Sequence, residues 1–453
     1  MLSDTHRAQA TSTTRRRQSL LWPQIRQMAQ RLGWGVADQG MSSLTNFAVN
    51  IYIARDLGAV QYGAFSLAYV TYAFALNASR GLSTDPLLVR FSGAELPAWR
   101  RAVKSCTGTA ATTGVAAGIL VLGATMFLGG SARLAFLALG LTLPGLLLQD
   151  SWRFAFFALG RGAQALINDT VWALSLAGAL LALKVTRHED VFWFIMAWGL
   201  SGAVGAALGP LQARVLPRLS DTWKWLTTHR DLAPRYLAEG TTNSAANQLR
   251  NYAIGILLGL AVVGSVQAAN TLMGPVMVVM YGTGLMALPE GARILRNSPR
   301  RFVLFCMLSC AALTLLALAW GVAIEIALPR GLGHAVLPNL WRATYPLVLP
   351  TIAYVTAVGA TSGAGLGLHA LGASRRSLRA MVISSTLYLI LSIVGALTRG
   401  AAGSIWGAAI AMWLGALLYW FELRLAVLES PRIPLRRRGS PRHRGTKRQD
   451  VRR

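Results

Sequence analysis

Charge is scarce in this chain: only 13% of its 453 residues are charged and only 17 are Asp or Glu, against about 25% charged in soluble domains. Too few polar side chains are present to cover a water-soluble surface, which excludes a soluble fold. Cysteine is nearly absent. Cys106, Cys306 and Cys310 are too few and too scattered for a disulfide framework or a metal motif, and are expected to be small packing residues. Carboxylates are so sparse that no nucleophile, metal cluster or catalytic carboxylate pair can be assembled. The chain therefore reads as a non-enzyme without cofactor or metal. Long polar loops are missing as well. The longest on the outer side, Glu325 to Tyr345, leaves no room for an extracellular catalytic domain and argues against a polytopic glycan polymerase or glycosyltransferase.

Apolar residues, 54% of the total, are what the chain does have. Runs near the ~20 residues needed to cross a bilayer occur at 35–54, 63–79, 106–128, 132–149, 163–183, 191–211, 237–260, 265–287, 302–324, 346–369, 380–397 and 402–421. The expectation is an all-α integral membrane protein of about twelve transmembrane helices. Net charge is +27, but the cations cluster between apolar runs, which excludes nucleic acid as the partner. With the amino terminus cytoplasmic, the outer segments hold only Arg55, Arg133, Lys184, Arg187, Arg330, Arg342 and Arg399 of the 44 Lys and Arg, and Arg250 lies within a span. All other cations fall inside, loop by loop. This positive-inside asymmetry places both termini in the cytoplasm of a bacterial inner-membrane protein. Trp22, Trp99, Trp152, Trp193, Trp341 and Trp420 fall near span ends, as interfacial aromatics do. Arg15, Arg16 and Arg17 precede a full-length apolar segment with no cleavage site, so no cleaved signal is expected.

The organisation follows: a basic tail over 1–30, a six-helix bundle over 31–212, a linker over 213–235, a second bundle over 236–425 and a basic tail over 426–453. The linker carries Trp223 and Trp225 beside Lys224, the pattern of a short amphipathic piece at the cytoplasmic interface. The two bundles look related. Asp38, Ser42, Asn46 and Asn50 recur 201 residues later as Glu239, Asn243, Asn247 and Asn251, followed at the same offset by Leu57-Gly58 and Leu258-Gly259. Pro86 to Arg90 then recurs as Pro289 to Arg293. A membrane chain built from two such halves, each with an internal polar stripe, is the pattern of a transporter.

Spacing by four draws each polar series along one helical stripe, which must face protein or water rather than acyl chains. Arg250, one turn from Asn247, adds a cation whose mid-membrane cost is a few kcal/mol. A guanidinium persists there when it pairs with an acid, of which Asp38, Asp169 and Glu239 are candidates, or when it holds an anion such as a phosphate. The candidate binding set is Arg250, Asn243, Asn247, Asn251, Asn46 and Asn50, with Arg90 and Arg293 at the cytoplasmic mouth. Asp38 and Glu239 are candidates for a coupling cation, H+ or Na+. Asp150, Arg153, Arg161 and Asp169 around one turn read as ion pairs, and His369 as a solvated interfacial histidine.

The run from Gln39 through Asn46, Asn50, Arg55 and Gly58 to Gly63, Phe65 and Ser66 resembles the first-span signature of Wzx-type polysaccharide exporters, members of the superfamily of MATE exporters and lipid-linked oligosaccharide flippases. The resemblance is clearest over 33–95 and returns at 237–296. It implies two pseudo-symmetric six-helix bundles in a V around a central cavity, and alternating access that carries a polyprenyl-diphosphate-linked oligosaccharide outward for surface polysaccharide biosynthesis. Implied partners are the lipid-linked glycan, membrane lipids, and a polysaccharide polymerase with its assembly proteins. The competing reading keeps the fold and makes the cargo a drug-like organic cation. Such a cavity should be acidic and aromatic, whereas the mid-span charge here is Arg250.

Overall fold

The computed structural model describes residues 40–430, apart from the side chains at 239, 242–244, 281, 284–286, 288, 289, 297 and 300. No strand occurs among the described residues. That follows from the apolar composition: without water to satisfy backbone N–H and C=O groups, a spanning segment must close its hydrogen bonds on itself. The expected tail over 1–30, residues 431–453 and Asp38 lie outside the described residues, whereas 426–429, expected to begin the second tail, continue the last helix, with Ala426 and Val427 buried.

The first half contains α1 (40–56), α2 (Ala59–Ser79), a π turn at Arg80–Thr84, α3 (Asp85–Phe91), α4 (Leu96–Ala124), α5 (Gly130–Ala158), α6 (Gly162–Thr186) and α7 (Val191–Ala213). Asp190 caps α7, its carboxylate accepting from the backbone N–H groups of Phe192 and Trp193 at 2.9 and 3.1 Å, which satisfies two donors left over at a helix start. The linker holds α8 (Thr222–Thr228). The second half holds α9 (Ala233–Leu258), α10 (Leu260–Leu272), α11 (Gly274–Asn297), α12 (Pro299–Ala327), α13 (Gly333–Val336), α14 (Trp341–Leu371) and α15 (Ser374–Glu429).

Seven of these helices, α4, α5, α6, α7, α12, α14 and α15, are long and apolar enough to cross a membrane, and they make the chain a multi-pass membrane protein. The two expected spans 380–397 and 402–421 are two helices joined within α15, which folds back on itself so that Gly395 meets the Gly403 carbonyl and Arg376 meets Glu422. Its backbone leaves helical geometry at Arg399 and Gly400, where φ reaches 63°. Glycine carries that turn without the steric cost of a Cβ. The expected eighth span is divided between α10 and α11, which meet at 58°. The helices of membrane length that fall short in apolarity are α2, α9 and α11. α9 bears one of the polar stripes, so reduced lipid compatibility and an interior role go together.

The repeat seen in the sequence becomes a physical contact. A Cβ added to Gly63 would overlap the carbonyl oxygen of Leu260, and one added to Gly264 would overlap the carbonyl oxygen of Ala59. Ala59 and Leu260 are 201 residues apart, as are Gly63 and Gly264. α2 of one half and α10 of the other therefore cross in a self-complementary contact of the kind a two-fold axis generates. Small residues permit this backbone approach where lipid supplies no hydrophobic drive. Around the crossing, Tyr62 OH bonds Thr271 Oγ1 at 3.3 Å and Thr71 Oγ1 bonds Tyr252 OH at 2.5 Å. Asn339 Nδ2 donates to the Arg55 carbonyl at 2.9 Å, joining the two halves at the end that the charge pattern places outside.

The linker is docked on the first half. Two residues apart on a helix means nearly opposite faces, so Trp225 is buried while Trp223 is exposed. Trp225 Nε1 donates to the Leu82 carbonyl at 3.1 Å, and its ring lies 3.9 Å from that of His229. His229 is itself buried. Its Nδ1–H donates to the Trp225 carbonyl at 2.9 Å and its Nε2 has no partner. The amphipathic piece expected here packs its Trp225 face against the first half and leaves its Trp223 face exposed.

Two outcomes test this packing. Gly63→Val forces a branched side chain into the Leu260 backbone, and its cost is expected to reach the upper end of overpacking, roughly 3 kcal/mol, read as a lowered thermal midpoint in detergent. Burial holds the His229 pKa below its ordinary 6.5, Arg90 adds to the lowering, and the Trp225 carbonyl and Asp231 oppose it. A group depressed in the folded state binds fewer protons there than when unfolded, so its contribution is complete above the ordinary imidazole pKa and is lost as pH falls below it. Protease cleavage within 213–235 is expected to accelerate as pH drops from about 7.5 to about 5.5, and His229→Asn to flatten that dependence.

Candidate functional site

Asn46 and Asn50 of α1 are half-buried, whereas Leu44 and Ala48 on the other side of the helix are exposed. The stripe thus turns toward protein, as the spacing requires. Asn50 Nδ2 donates to the Asn46 carbonyl at 2.8 Å, and Asn50 Oδ1 is buried without a partner.

The α9 stripe is more strongly organised. Arg250 is 4% exposed, and Gln248 and Asn251 beside it are also buried. Arg250 Nη1 donates to Tyr388 OH of α15 at 3.2 Å, and that hydroxyl donates to Asn247 Oδ1 at 3.1 Å. The guanidinium carbon lies 5.6 Å from the centre of the Tyr388 ring. Arg250 Nε and Gln248 Oε1 are buried with no hydrogen-bond partner. The buried charged side chains, histidine aside, are Asp150, Arg153, Asp169, Arg250 and Glu422. Arg250 differs from the other four in having no ion-pair partner among the described residues. Of its expected acidic partners, Asp169 is committed elsewhere, Asp38 lies outside the described residues and so does the side chain of Glu239, together with that of Asn243.

Beside this cluster, α11, α12, α14 and α15 enclose a cavity of about 590 Å³. Met412 lines it and also packs in the cluster around Tyr388. Thr283, Ser309, Thr361, Ser362 and His369 contribute polar groups to the wall. Thr283, Thr361 and Ser362 each donate to a carbonyl of their own helix at 2.9 Å, which leaves their oxygens free to accept from a guest. His369, expected to be merely solvated, is an exposed wall residue of this cavity, its Nδ1 bonded to the Gly365 carbonyl at 2.9 Å. Neither Tyr388 nor this cavity was anticipated from the sequence. The signal available was weak: hydroxyl residues inside α12 and α14, and one tyrosine mid-span in α15.

The other candidates lie apart. Arg90 clamps the linker, its Nη2 donating to both Asp231 carboxylate oxygens at 2.8 Å and its Nη1 to the Thr228 carbonyl at 3.1 Å. Arg293, 66% exposed in its side chain, pairs with Glu290 one turn back at 2.8 Å. No hydrogen bond or ion pair joins Asn46 or Asn50 to the Arg250 cluster among the described residues.

The charges around the α5–α6 turn do pair, with partners that sequence proximity did not indicate. Asp150 holds Arg80 of the π turn through two contacts of 2.6 and 2.8 Å, with Phe154 stacked 4.8 Å beneath the guanidinium. Asp169 lies 3.4 Å from Arg153 and accepts from Gln149 at 2.8 Å. Asn168 extends the network to the Gly205 carbonyl and Gln212 at 2.9 and 3.1 Å. Arg161 is exposed. The first half thus neutralises its buried charges in pairs.

Comparison with solved structures places the architecture. An inward-facing multidrug resistance MATE family transporter of the MOP superfamily matches with a TM-score of 0.65 at 14% identity, over 85% of this chain and 94% of that one. The fold is that of the MOP superfamily transporters. The lipid II flippase MurJ in an inward closed conformation matches with a TM-score of 0.64 at 12% identity, over 86% and 87% of the two chains. A MOP superfamily transporter from Pyrococcus furiosus, described as having a binding pocket of reversed polarity, matches with 0.57 at 13% identity over 88% and 95%. No protein-family model matches the sequence, and no curated protein matches it.

Breaking a buried pair strands the remaining charge. Asp150→Ala is expected to cost about 3 kcal/mol, the lower end of the range for buried pairs, because the Arg80 side chain is 29% exposed. A fall in the thermal midpoint of the purified protein reads this out.

Proposed function

We propose that this MOP-fold chain is a flippase that moves a polyprenyl-diphosphate-linked oligosaccharide across the bacterial cytoplasmic membrane by alternating access, for surface polysaccharide biosynthesis. The observation that carries the reading is Arg250: a buried guanidinium with a free Nε and no described carboxylate beside it, held by the Tyr388–Asn247 bridge. Keeping such a charge at membrane depth costs a few kcal/mol, and an arriving diphosphate offsets that cost with charge-assisted hydrogen bonds. Asn243, Asn247 and Asn251, with Asn46 and Asn50 across the interior, supply amide partners for the headgroup and first sugars. The cavity of about 590 Å³, whose largely apolar wall carries the hydroxyls of Thr283, Ser309, Thr361 and Ser362, falls within the usual range of small-molecule sites, roughly 300–1,000 Å³, and gives the cargo a place beside the charge.

In this mechanism Arg90 and Arg293 flank the cytoplasmic mouth, and Asp38 and Glu239 take a coupling H+ or Na+. A cation bound to one conformation more tightly than the other shifts the equilibrium between inward and outward states by that difference in affinity. The Gly63–Gly264 crossing is the pivot about which the two halves rock. That a lipid II flippase shares the fold supports a lipid-linked cargo. Export of organic cations on the same fold would instead favour an acidic, aromatic cavity, whereas the buried charge here is the Arg250 guanidinium.

Reconstituted protein is expected to carry a fluorescent polyprenyl-diphosphate oligosaccharide across liposomes. Arg250→Ala should slow transport about 10- to 100-fold, the equivalent of one or two hydrogen bonds to a charged group, with Tyr388→Phe intermediate. Running the assay under imposed proton or sodium gradients reads the coupling. Transport by Arg250→Ala at the native rate, or export of organic cations in place of the glycolipid, would remove this reading.

A further inference from the structure

The end of the first bundle that the charge pattern places in the cytoplasm carries a second basic feature unrelated to the transport cavity. α4 begins beside α5, anchored by Trp99, which is fully buried and donates through Nε1 to the Ala155 carbonyl at 2.9 Å. Arg100, Arg101 and Lys104 follow within its first three turns. Where α7 ends, Arg214 adopts the left-handed conformation, φ 54°, a position that glycine or asparagine fills at lower cost. These four cations, with Pro210, Leu211, Val215 and Leu216, line one cleft of about 590 Å³ that contains no acidic residue. None of the four has an ion pair among the described residues. The nearest acid, Asp221 in the adjoining hollow, is engaged by Arg218 at 3.6 Å and Ser105 at 3.3 Å.

Two of the apolar side chains that line the cleft are themselves exposed, Leu211 at 75% and Leu216 at 72%. Cations gathered without counter-charge repel one another unless an anion sits among them. Apolar side chains projecting beside them at the interface fit acyl chains. The chain's own terminal segments are Arg-rich, so they are electrostatically the wrong occupants. We propose that this cleft seats an anionic phospholipid of the cytoplasmic leaflet, with its phosphate among Arg100, Arg101, Lys104 and Arg214 and its acyl chains along Leu211 and Leu216. The ligand chemistry is that of a phosphodiester with attached hydrocarbon, and the site is independent of the transported cargo.

The test uses the full chain in neutral detergent, titrated with phosphatidylglycerol or phosphatidylcholine and read by native mass spectrometry. Phosphatidylglycerol should be retained in preference to phosphatidylcholine. Each cation removed should weaken that retention about fivefold, the equivalent of roughly 1 kcal/mol per basic residue near a membrane. Arg101→Gln combined with Arg214→Gly should therefore lose roughly 25-fold, while Arg133→Gln at the opposite end leaves retention unchanged. Arg214→Gly alone relieves the left-handed backbone, so it should raise the thermal midpoint while still losing about fivefold in retention. That single variant keeps the proposal testable if the double variant fails to fold. Equal retention of the two lipids, undiminished phosphatidylglycerol on Arg214→Gly, or displacement of the lipid by inorganic phosphate alone would each overturn it, the last in favour of a free anion.

Discussion

A charge placed inside an apolar bundle has no water to turn to, and that constraint organises this molecule. Asp150 with Arg80, Asp169 with Arg153, and Glu422 with Arg376 at 2.8 Å and Arg379 at 3.0 Å each answer it by bringing together opposite charges from different parts of the chain. Such pairs set the register between helices even where their net contribution to stability is small. Arg250 is where the same constraint is met by a hydroxyl and an aromatic face instead of a carboxylate, so the guanidinium keeps its charge available.

The two halves share a plan and differ in how their interiors are filled. In the first, the interior between α5, α6 and α7 is filled by a closed network of amides and ion pairs running from Gln149 to Gln212, with Tyr69, Tyr72 and Trp198 packed together nearby. In the second, the corresponding region around α12 and α14 opens into a largely apolar cavity with a few hydroxyl groups in its wall, beside Tyr388. The asymmetry is chemical rather than topological. Val49 occupies the position in α1 that Arg250 holds in α9, 201 residues later, and it lines an apolar cavity of about 630 Å³ with Tyr52, Leu176 and Leu180, where the second half carries a guanidinium.

Contact between the halves rests on small residues. The reciprocal approach of Gly63 and Gly264 to opposing carbonyls lets α2 and α10 cross at backbone distance, and the hydroxyl bonds of Tyr62 and Thr71 hold the rest of α2 to the second half. Around that crossing, Tyr62, Phe65 and Leu67 of the first half share a buried apolar cluster with Ile254, Val263 and Leu272 of the second. The linker is fastened to the first half through Trp225, His229 and the Arg90–Asp231 clamp.

Patterns that depend on local periodicity were readable in advance. Apolar runs of bilayer length, the cation asymmetry of the loops and the repeat at 201 residues set the class of the molecule, its division into two related bundles and the inward direction of the α1 stripe, because helix geometry and bilayer thickness act on neighbouring residues alone. Choices that depend on distant neighbours were decided by tertiary structure. Asp150 reaches past the adjacent Arg153 to Arg80, seventy residues away. Trp225 turns inward while Trp223 does not, and Arg90 holds the linker in preference to standing free. Tyr388, 138 residues from Arg250, carries no mark along the chain of the bond it makes. Which polar groups meet is fixed only when helices pack, since a side chain of a few ångströms can choose among all the neighbours that packing brings within its reach.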